Sequence, residues 1–338
     1  MSLPFSVLDL IPLARGTSSG QALRNSIELA RVTDRLGYRR YWFAEHHNMS
    51  TVVRTTPEIM IALTAEATTR IRVGSGGVML PNHAPLKVAE SFKMLEALHP
   101  GRIDLGIGRA PGTDPAAALA LRGSRGALRG DDFPDRLAEL MALGEGSIPS
   151  DLPPAFVSAV PPDASLPPIW LLGSSDFSAR LAARLGTGFG FAAHFSDLPP
   201  EGPLRAYREQ FRAGGALERP HAILTVSVVC AETDAEAERL AASLLVAFVR
   251  LRTGQRSELL SPEEAEAYAF TPGERTVLEG IRALHIAGSP ATVKRRIDDL
   301  VARTAADEVM VTTFTHGHAE RLRSYELVAE AFGLPRHE

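Results

Sequence analysis

The sequence predicts an α/β protein built as a (β/α)8 barrel, a TIM barrel, with two large insertions. Three observations lead there. Eight short apolar runs recur along the 338 residues, at 4–10, 40–44, 71–74, 102–108, 169–172, 188–192, 222–230 and 308–312. Most are followed by a segment of helical spacing, and strands apolar throughout are buried on both faces, as in a parallel sheet. Glycines and polar residues gather where each run ends, and a parallel barrel carries its chemistry at the carboxyl ends of its strands. An open doubly wound sheet is the alternative, because periodicity does not prove closure.

The elements follow in order. Residues 21–36 form an amphipathic helix that Gly37 terminates. Pro57 occupies the first turn of a helix reaching residue 69. Val88, Phe92, Leu95 and Leu98 give 86–98 a helical stripe. From 110 to 168 the pattern loosens into the first insertion. Within it 116–121 and 133–143 look helical, and 156–160 reads as a short strand outside the sheet. Pro149, Pro153, Pro154, Pro161, Pro162, Pro167 and Pro168 mark an irregular connection. Helices are expected at 176–185, 204–213 and 234–251 after the fifth, sixth and seventh strands. The second insertion, 253–284, is polar, with weak periodicity, and is the candidate for a cover over the site. Helices at 290–303 and 318–332 flank the last strand. No repeat or flexible linker divides the chain, so 1–338 is expected to be one domain.

Composition narrows the function. A net charge of -4 without a basic tract argues against nucleic acid. No cationic segment precedes the first apolar run, so no secretory signal is expected. No apolar run is long enough for a membrane span; 240–251 is short and contains Arg250. The single cysteine, Cys230, forms no internal disulfide, fits a reducing cytoplasm and ends a strand where plain packing is its role.

On a barrel the strand ends bring together Asp9; Glu45, His46 and His47; Gly76 and Gly77; Arg109; Gly173, Ser174 and Ser175; His194; and Thr312, Thr313 and His316. Gly173-Ser174-Ser175 before a helix offers N–H groups, hydroxyls and the positive end of a dipole, which suit a phosphate or an ordinary N-cap. Arg109 suits a phosphate or a nearby carboxylate. Gly106-Ile107-Gly108 begins like a dinucleotide fingerprint, but the third glycine, Gly112, comes one place late and no helix opens behind it. The glycines of 74–77 fit a flat ligand lying close to backbone, or a bulge. His46 and His47 point to opposite sides of an extended chain, which is poor geometry for one metal. A single histidine there is either a proton donor or a loop anchor. His316-Gly317-His318 lacks supporting carboxylates or thiols, so no metal is expected.

Several stretches, in order along nearly the whole chain, resemble one family. They are Trp42-Phe43-Ala44-Glu45-His46-His47, Gly76-Gly77-Val78-Met79-Leu80-Pro81, the run from His99-Pro100-Gly101-Arg102 to Gly108-Arg109, Leu172-Gly173-Ser174-Ser175, and Ile286-Ala287-Gly288-Ser289-Pro290 with Asp307-Glu308-Val309-Met310-Val311. The set is similar to the luciferase-like flavin-dependent monooxygenases, the family of bacterial luciferase. The resemblance implies a barrel that binds reduced FMN and uses O2 to oxidise a small organic substrate. It also implies a homodimer packed through helices of the amino-terminal half. A separate flavin reductase would be a transient partner, since no nicotinamide fingerprint is visible. By motif, Gly76 and Gly77 would form a non-prolyl cis peptide against the flavin ring. Arg109, Ser174, Ser175 and Ser178 would contact the phosphate, with Gly173 and His194 also on the cofactor. His46 would be the catalytic histidine, and Glu45 and His47 its structural support. Gly108 stands where bacterial luciferase has a cysteine, which weakens any expectation of light emission. A deazaflavin-dependent hydride-transfer oxidoreductase and a flavin-binding protein without turnover are the alternatives.

Overall fold

The computed structural model describes residues 3–53, 55–110, 112, 114–123, 132–146, 157–255 and 258–337. Its strands are β1 Phe5–Asp9, β2 Arg40–Phe43, β3 Arg72–Met79, β4 Ile103–Gly108, β5 Ile169–Gly173, β6 Gly188–Ala192, β7 Ala222–Cys230, β8 His285–Gly288 and β9 Glu308–Thr312. They pair in parallel in the order β6-β5-β4-β3-β2-β1-β9-β7-β8, and β6 also pairs with β7. That last pairing closes β1 to β7 and β9 into an eight-stranded barrel. β8 is extra: it pairs with Ser227 to Cys230, beyond the point where β6 leaves β7. All eight runs expected from the sequence are barrel strands. β8 is too short to carry a period.

The helices are α1 Ser19–Arg35, α2 Pro57–Ala67, α3 Pro85–Leu98, α4 Pro115–Arg122, α5 Phe133–Gly144, α6 Asp176–Leu185, α7 Glu201–Gln210, α8 Asp234–Arg252, α9 Pro262–Glu266, α10 Pro272–Ala283, α11 Pro290–Thr304 and α12 His318–Phe332. Local chemistry sets their ends. The Ser18 hydroxyl accepts from the Gln21 N–H to open α1, proline opens α2, α3 and α11, and left-handed Gly186 and Gly333 close α6 and α12. Among the described residues no helix is long and apolar enough to cross a membrane.

Three expectations change. β3 does not stop at Gly74; it runs to Met79 through a register shift between Ser75 and Val78. Gly76 and Gly77 therefore sit inside the strand. No strand forms over 157–160. There Lys93 Nζ donates to the Ala159 carbonyl and the Val160 N–H to Glu90, so side chains of α3 hold this backbone. Phe156, Pro149, Pro153 and Pro154 lie outside the described residues. The stretch 253–284 contains α9 and α10, each begun by a capping box, Ser261 with Glu264 and Thr271 with Glu274.

Side chains two apart on a strand share a face, and this layers the barrel interior. The lowest layer is ionic: Ser6, Arg40, Asp104 and Glu308 are all buried. Arg40 bridges Asp104 at 2.7 Å and Glu308 at 3.0 Å, while Arg72 takes the other Asp104 oxygen at 2.7 Å and His221 the other Glu308 oxygen at 3.0 Å. Above it Trp42 and Trp170 meet edge to face at 5.6 Å. Gly188 makes room for them, because a Cβ there would strike the Trp170 ring. The outward faces of the strands, with Val7, Tyr41, Val73 and Leu105, pack against the helices. The floor of the barrel is thus plugged, and a cavity lies toward the carboxyl ends of the strands.

Candidate active site

His46, Gly76, Gly77, Arg109, Gly173, Ser174, Ser175, Ser178 and His194 all line one cavity of about 270 Å³ at the carboxyl ends of the strands. Its floor is the next inward layer of the barrel: Leu8, Trp42, Leu172 and Met310. The Gly76–Gly77 peptide is cis. A Cβ on Gly76 would lie 2.6 Å from Leu8 Cδ1, and one on Gly77 2.7 Å from Leu172 Cδ1 and 2.8 Å from the Gly106 carbonyl. No side chain fits at either place, so backbone itself forms this part of the wall.

One end of the cavity collects groups for an anion. β5 runs out at Gly173, Ser174 and Ser175, and Ser175 is the N-cap of α6 without a side-chain capping bond. The ordinary N-cap explanation for this serine therefore does not apply. Ser178 lies buried in the first turn, close enough that a Cβ on Gly173 would be 2.5 Å from its hydroxyl. The Arg109 guanidinium lies over the Phe177 ring, 4.2 Å from its centroid, which holds it beside the same turn. Three hydroxyls, a helix N-terminus and a guanidinium form a donor set suited to a phosphate. The apolar, backbone-walled remainder suits a flat ring. The residues present thus fit a flavin mononucleotide.

The other strand-end residues divide. His46 lines this cavity and also a second chamber of about 430 Å³ beside it. His194 lines both as well, its ring edge to face with Phe195 at 4.7 Å. Glu45 and His47 line neither and act from behind. Glu45 Oε1 accepts from His47 and His83 at 2.8 Å each, and Oε2 accepts from the Met79 N–H at 2.8 Å. Burial by itself would raise the Glu45 carboxyl, but the bond and charge of His83, then His47 and the Met79 N–H, bring it below the usual range. The His83 bond to Glu45 outweighs burial and raises the His83 pKa. Asp9 does not face the cavity. It is buried on the outer face of β1, bound to Arg321 at 2.5 Å and to Tyr41.

The sequence does not point to His83, because its partner lies 38 positions away. Leu8, Leu10, Trp42 and Met310 were readable from strand alternation but carry no polar signal. A Cβ on Gly108 would come 2.9 Å from Met79 Sδ, so this position packs against a methionine.

The chamber is walled by Leu244, Ala247, Phe248 and Leu251 of α8, with Leu259 and Phe314 opposite. At its mouth Arg252 pairs with Asp197 at 3.2 Å.

The family model for luciferase-like monooxygenases matches residues 3–308. The chain belongs to the luciferase-like monooxygenase family. It is an oxidoreductase that incorporates oxygen. A luciferase-like monooxygenase of Escherichia coli (strain K12) is 39% identical over 331 residues, covering 97% of each chain. An N-acetyl-S-alkylcysteine monooxygenase of Bacillus subtilis (strain 168) is 33% identical over 330 residues, covering 96% of this chain and 97% of the other. The crystal structure of apo-MsnO8 superposes with a TM-score of 0.88 at 37% identity, covering 99% of this chain and 100% of the other. More distant structures of the same fold include one in complex with FMN and one with an F420 adduct.

Proposed function

We propose that this luciferase-like monooxygenase binds reduced FMN and uses O2 to oxidise a small organic substrate held in the adjoining chamber. The observation that carries this is the union, in one cavity, of a phosphate-type donor set and a backbone-walled apolar floor. Arg109, Ser174, Ser175 and Ser178 would hold the phosphate, and Gly76, Gly77, Leu8 and Trp42 would border the ring. Gly173 and His194 complete the wall. Reduced flavin would supply the electrons for oxygen activation. The chain's own contribution is to orient the ring, to exclude water with apolar walls, and to present His46 at the junction of cavity and chamber as a hydrogen-bond or proton donor. A separate reductase would deliver the reduced flavin. His46→Ala is expected to keep FMN affinity and lose substrate-dependent oxygen consumption; unchanged turnover would remove His46 from the chemistry.

The proposed assembly is a homodimer. Ile59 and Leu63 of α2 are 60% and 51% exposed, and Met94 and Leu98 of the neighbouring α3 are 58% and 68% exposed. An apolar face of this kind marks an interaction surface, and a second copy of the same helix pair is its natural complement. Ile59→Glu with Leu98→Glu should halve the mass measured by light scattering without loss of helix content. A single mass for both proteins would contradict the assignment.

The Glu45 clamp gives a pH signature. A histidine whose folded pKa is raised stabilises below its unfolded pKa, and that contribution is lost as pH rises through the folded value. The Tm difference between wild type and His83→Gln should therefore be largest just below about pH 6.5 and shrink above it. A difference independent of pH from mildly acidic to alkaline buffer would show that the clamp does not titrate.

A further inference from the structure

Behind the aromatic lining of the chamber lies a row of polar side chains that line neither cavity. Thr225 and Met310 pair across β7 and β9, and both line the flavin cavity. Two positions on, Ser227 pairs with Thr312 on one side and with His285 of β8 on the other. Side chains two apart share a face, so His285, Ser227 and Thr312 form a row directly above Thr225 and Met310. His285 and Thr312 are only 7% and 1% exposed. Yet among the described residues neither ring nitrogen of His285 has a hydrogen-bond partner, nor does the Thr312 hydroxyl. The Phe248 ring stands edge to face against His285 at 5.4 Å and against Phe314 at 6.5 Å. Both phenylalanines line the chamber, so one aromatic side chain lies between it and His285. Buried polar atoms of folded proteins nearly always have partners, and each exception calls for one.

We propose that the chamber takes an uncharged substrate with an apolar body, whose hydrogen-bonding end reaches past Phe248 to His285 and Thr312. This rests on the proposed function, which puts the substrate beside the flavin. A neutral imidazole offers one donor and one acceptor, and a threonine hydroxyl offers both. An alcohol, ketone or amide end matches them. Burial, helped by the Arg296 charge, holds the His285 pKa down to about 4, so the ring stays neutral. A carboxylate arriving there would exchange its water for a neutral ring and a hydroxyl, while the Arg296 charge acts on this ring only through space. Arg252, which lines the chamber, sits at the mouth and already holds Asp197.

The test titrates 1-heptanol, 2-heptanone and heptanoate into the full chain by calorimetry, with and without FMN, and follows the 15N imidazole signals of His285. Heptanol and heptanone should bind and shift both ring-nitrogen signals, and heptanoate should bind at least about tenfold more weakly. His285→Phe should weaken heptanol about tenfold and Thr312→Val by a smaller factor, with FMN affinity unchanged in both. Should His285→Phe fail to fold, Thr312→Val and the wild-type signals decide alone. Two results overturn the proposal: heptanoate binding as tightly as heptanol, or both variants binding all three probes like wild type with the His285 signals unmoved, which means a row that holds water only. If wild type binds no FMN but the probes still behave as expected, the flavin assignment falls and the polar end stands.

Discussion

Arg109→Ala should weaken FMN roughly ten- to a hundredfold while changing riboflavin by less than about threefold, because a hydrogen bond to a charged group contributes about 1.5–3 kcal/mol. The contrast follows from where Arg109 sits. Its guanidinium lies over the Phe177 ring, at the end of the cavity that holds the Ser174, Ser175 and Ser178 hydroxyls and the α6 N-terminus. Riboflavin has no phosphate to place there, so it is blind to the change. Arg109→Lys should recover part of the FMN affinity, since lysine keeps the charge but loses the planar fork and the stacking. Arg109 is exposed to solvent, so the difference between FMN and riboflavin should also narrow as salt is raised. Equal weakening of the two ligands would mean that Arg109 shapes the cavity and does not read the phosphate.

The second large effect lies at the opposite end of the barrel. Arg40→Met should destabilise the fold by about 3 kcal/mol or more, read as a lower denaturant midpoint with an unchanged slope. Arg40 is the shared partner of Asp104 and Glu308, and all three are buried. Burial by itself would raise the Glu308 pKa, but the Arg40 charge and the bonds from His221 and Ser6 hold it down to about 2. The sign follows directly. A depressed carboxylate stabilises the fold above its unfolded pKa, and that contribution is lost as pH falls toward 2. Without Arg40, burial dominates and the Glu308 pKa rises. The variant should then become relatively more stable as pH is lowered from neutral toward about 5, narrowing its gap to wild type. A gap that widens over that interval would contradict the ionic plug. Arg72 and His221 remain on one oxygen of each carboxylate, which keeps the loss near the lower end of the range.

The parts of the fold legible in the sequence were those with a local signal. The eight barrel strands stand out because each is a short apolar run bounded by turn residues. The cavity residues stand out for a related reason: glycines 76 and 77, and an arginine and serines at strand ends, break the apolar pattern around the cavity. The extent of β3 was hidden by those same glycines, which read as a strand end but are a crowded strand interior. The ionic plug was hidden because Arg40, Asp104 and Glu308 lie in three different strands, and their pairing exists only once the barrel closes. The Glu45–His83 clamp and the polar row of His285 and Thr312 were hidden likewise. β8 carries His285 in a four-residue strand beyond any periodic reading. The chamber wall comes from α8, whose apolar residues look like ordinary core in sequence.

The most direct measurement is equilibrium titration of the purified full chain with FMN, riboflavin and a deazaflavin, oxidised and anaerobically reduced. The expected result is micromolar or tighter binding of FMN, tighter for the reduced form, weaker binding of riboflavin, and no competition by the deazaflavin. Binding of the deazaflavin alone would contradict the assignment of the cavity to FMN.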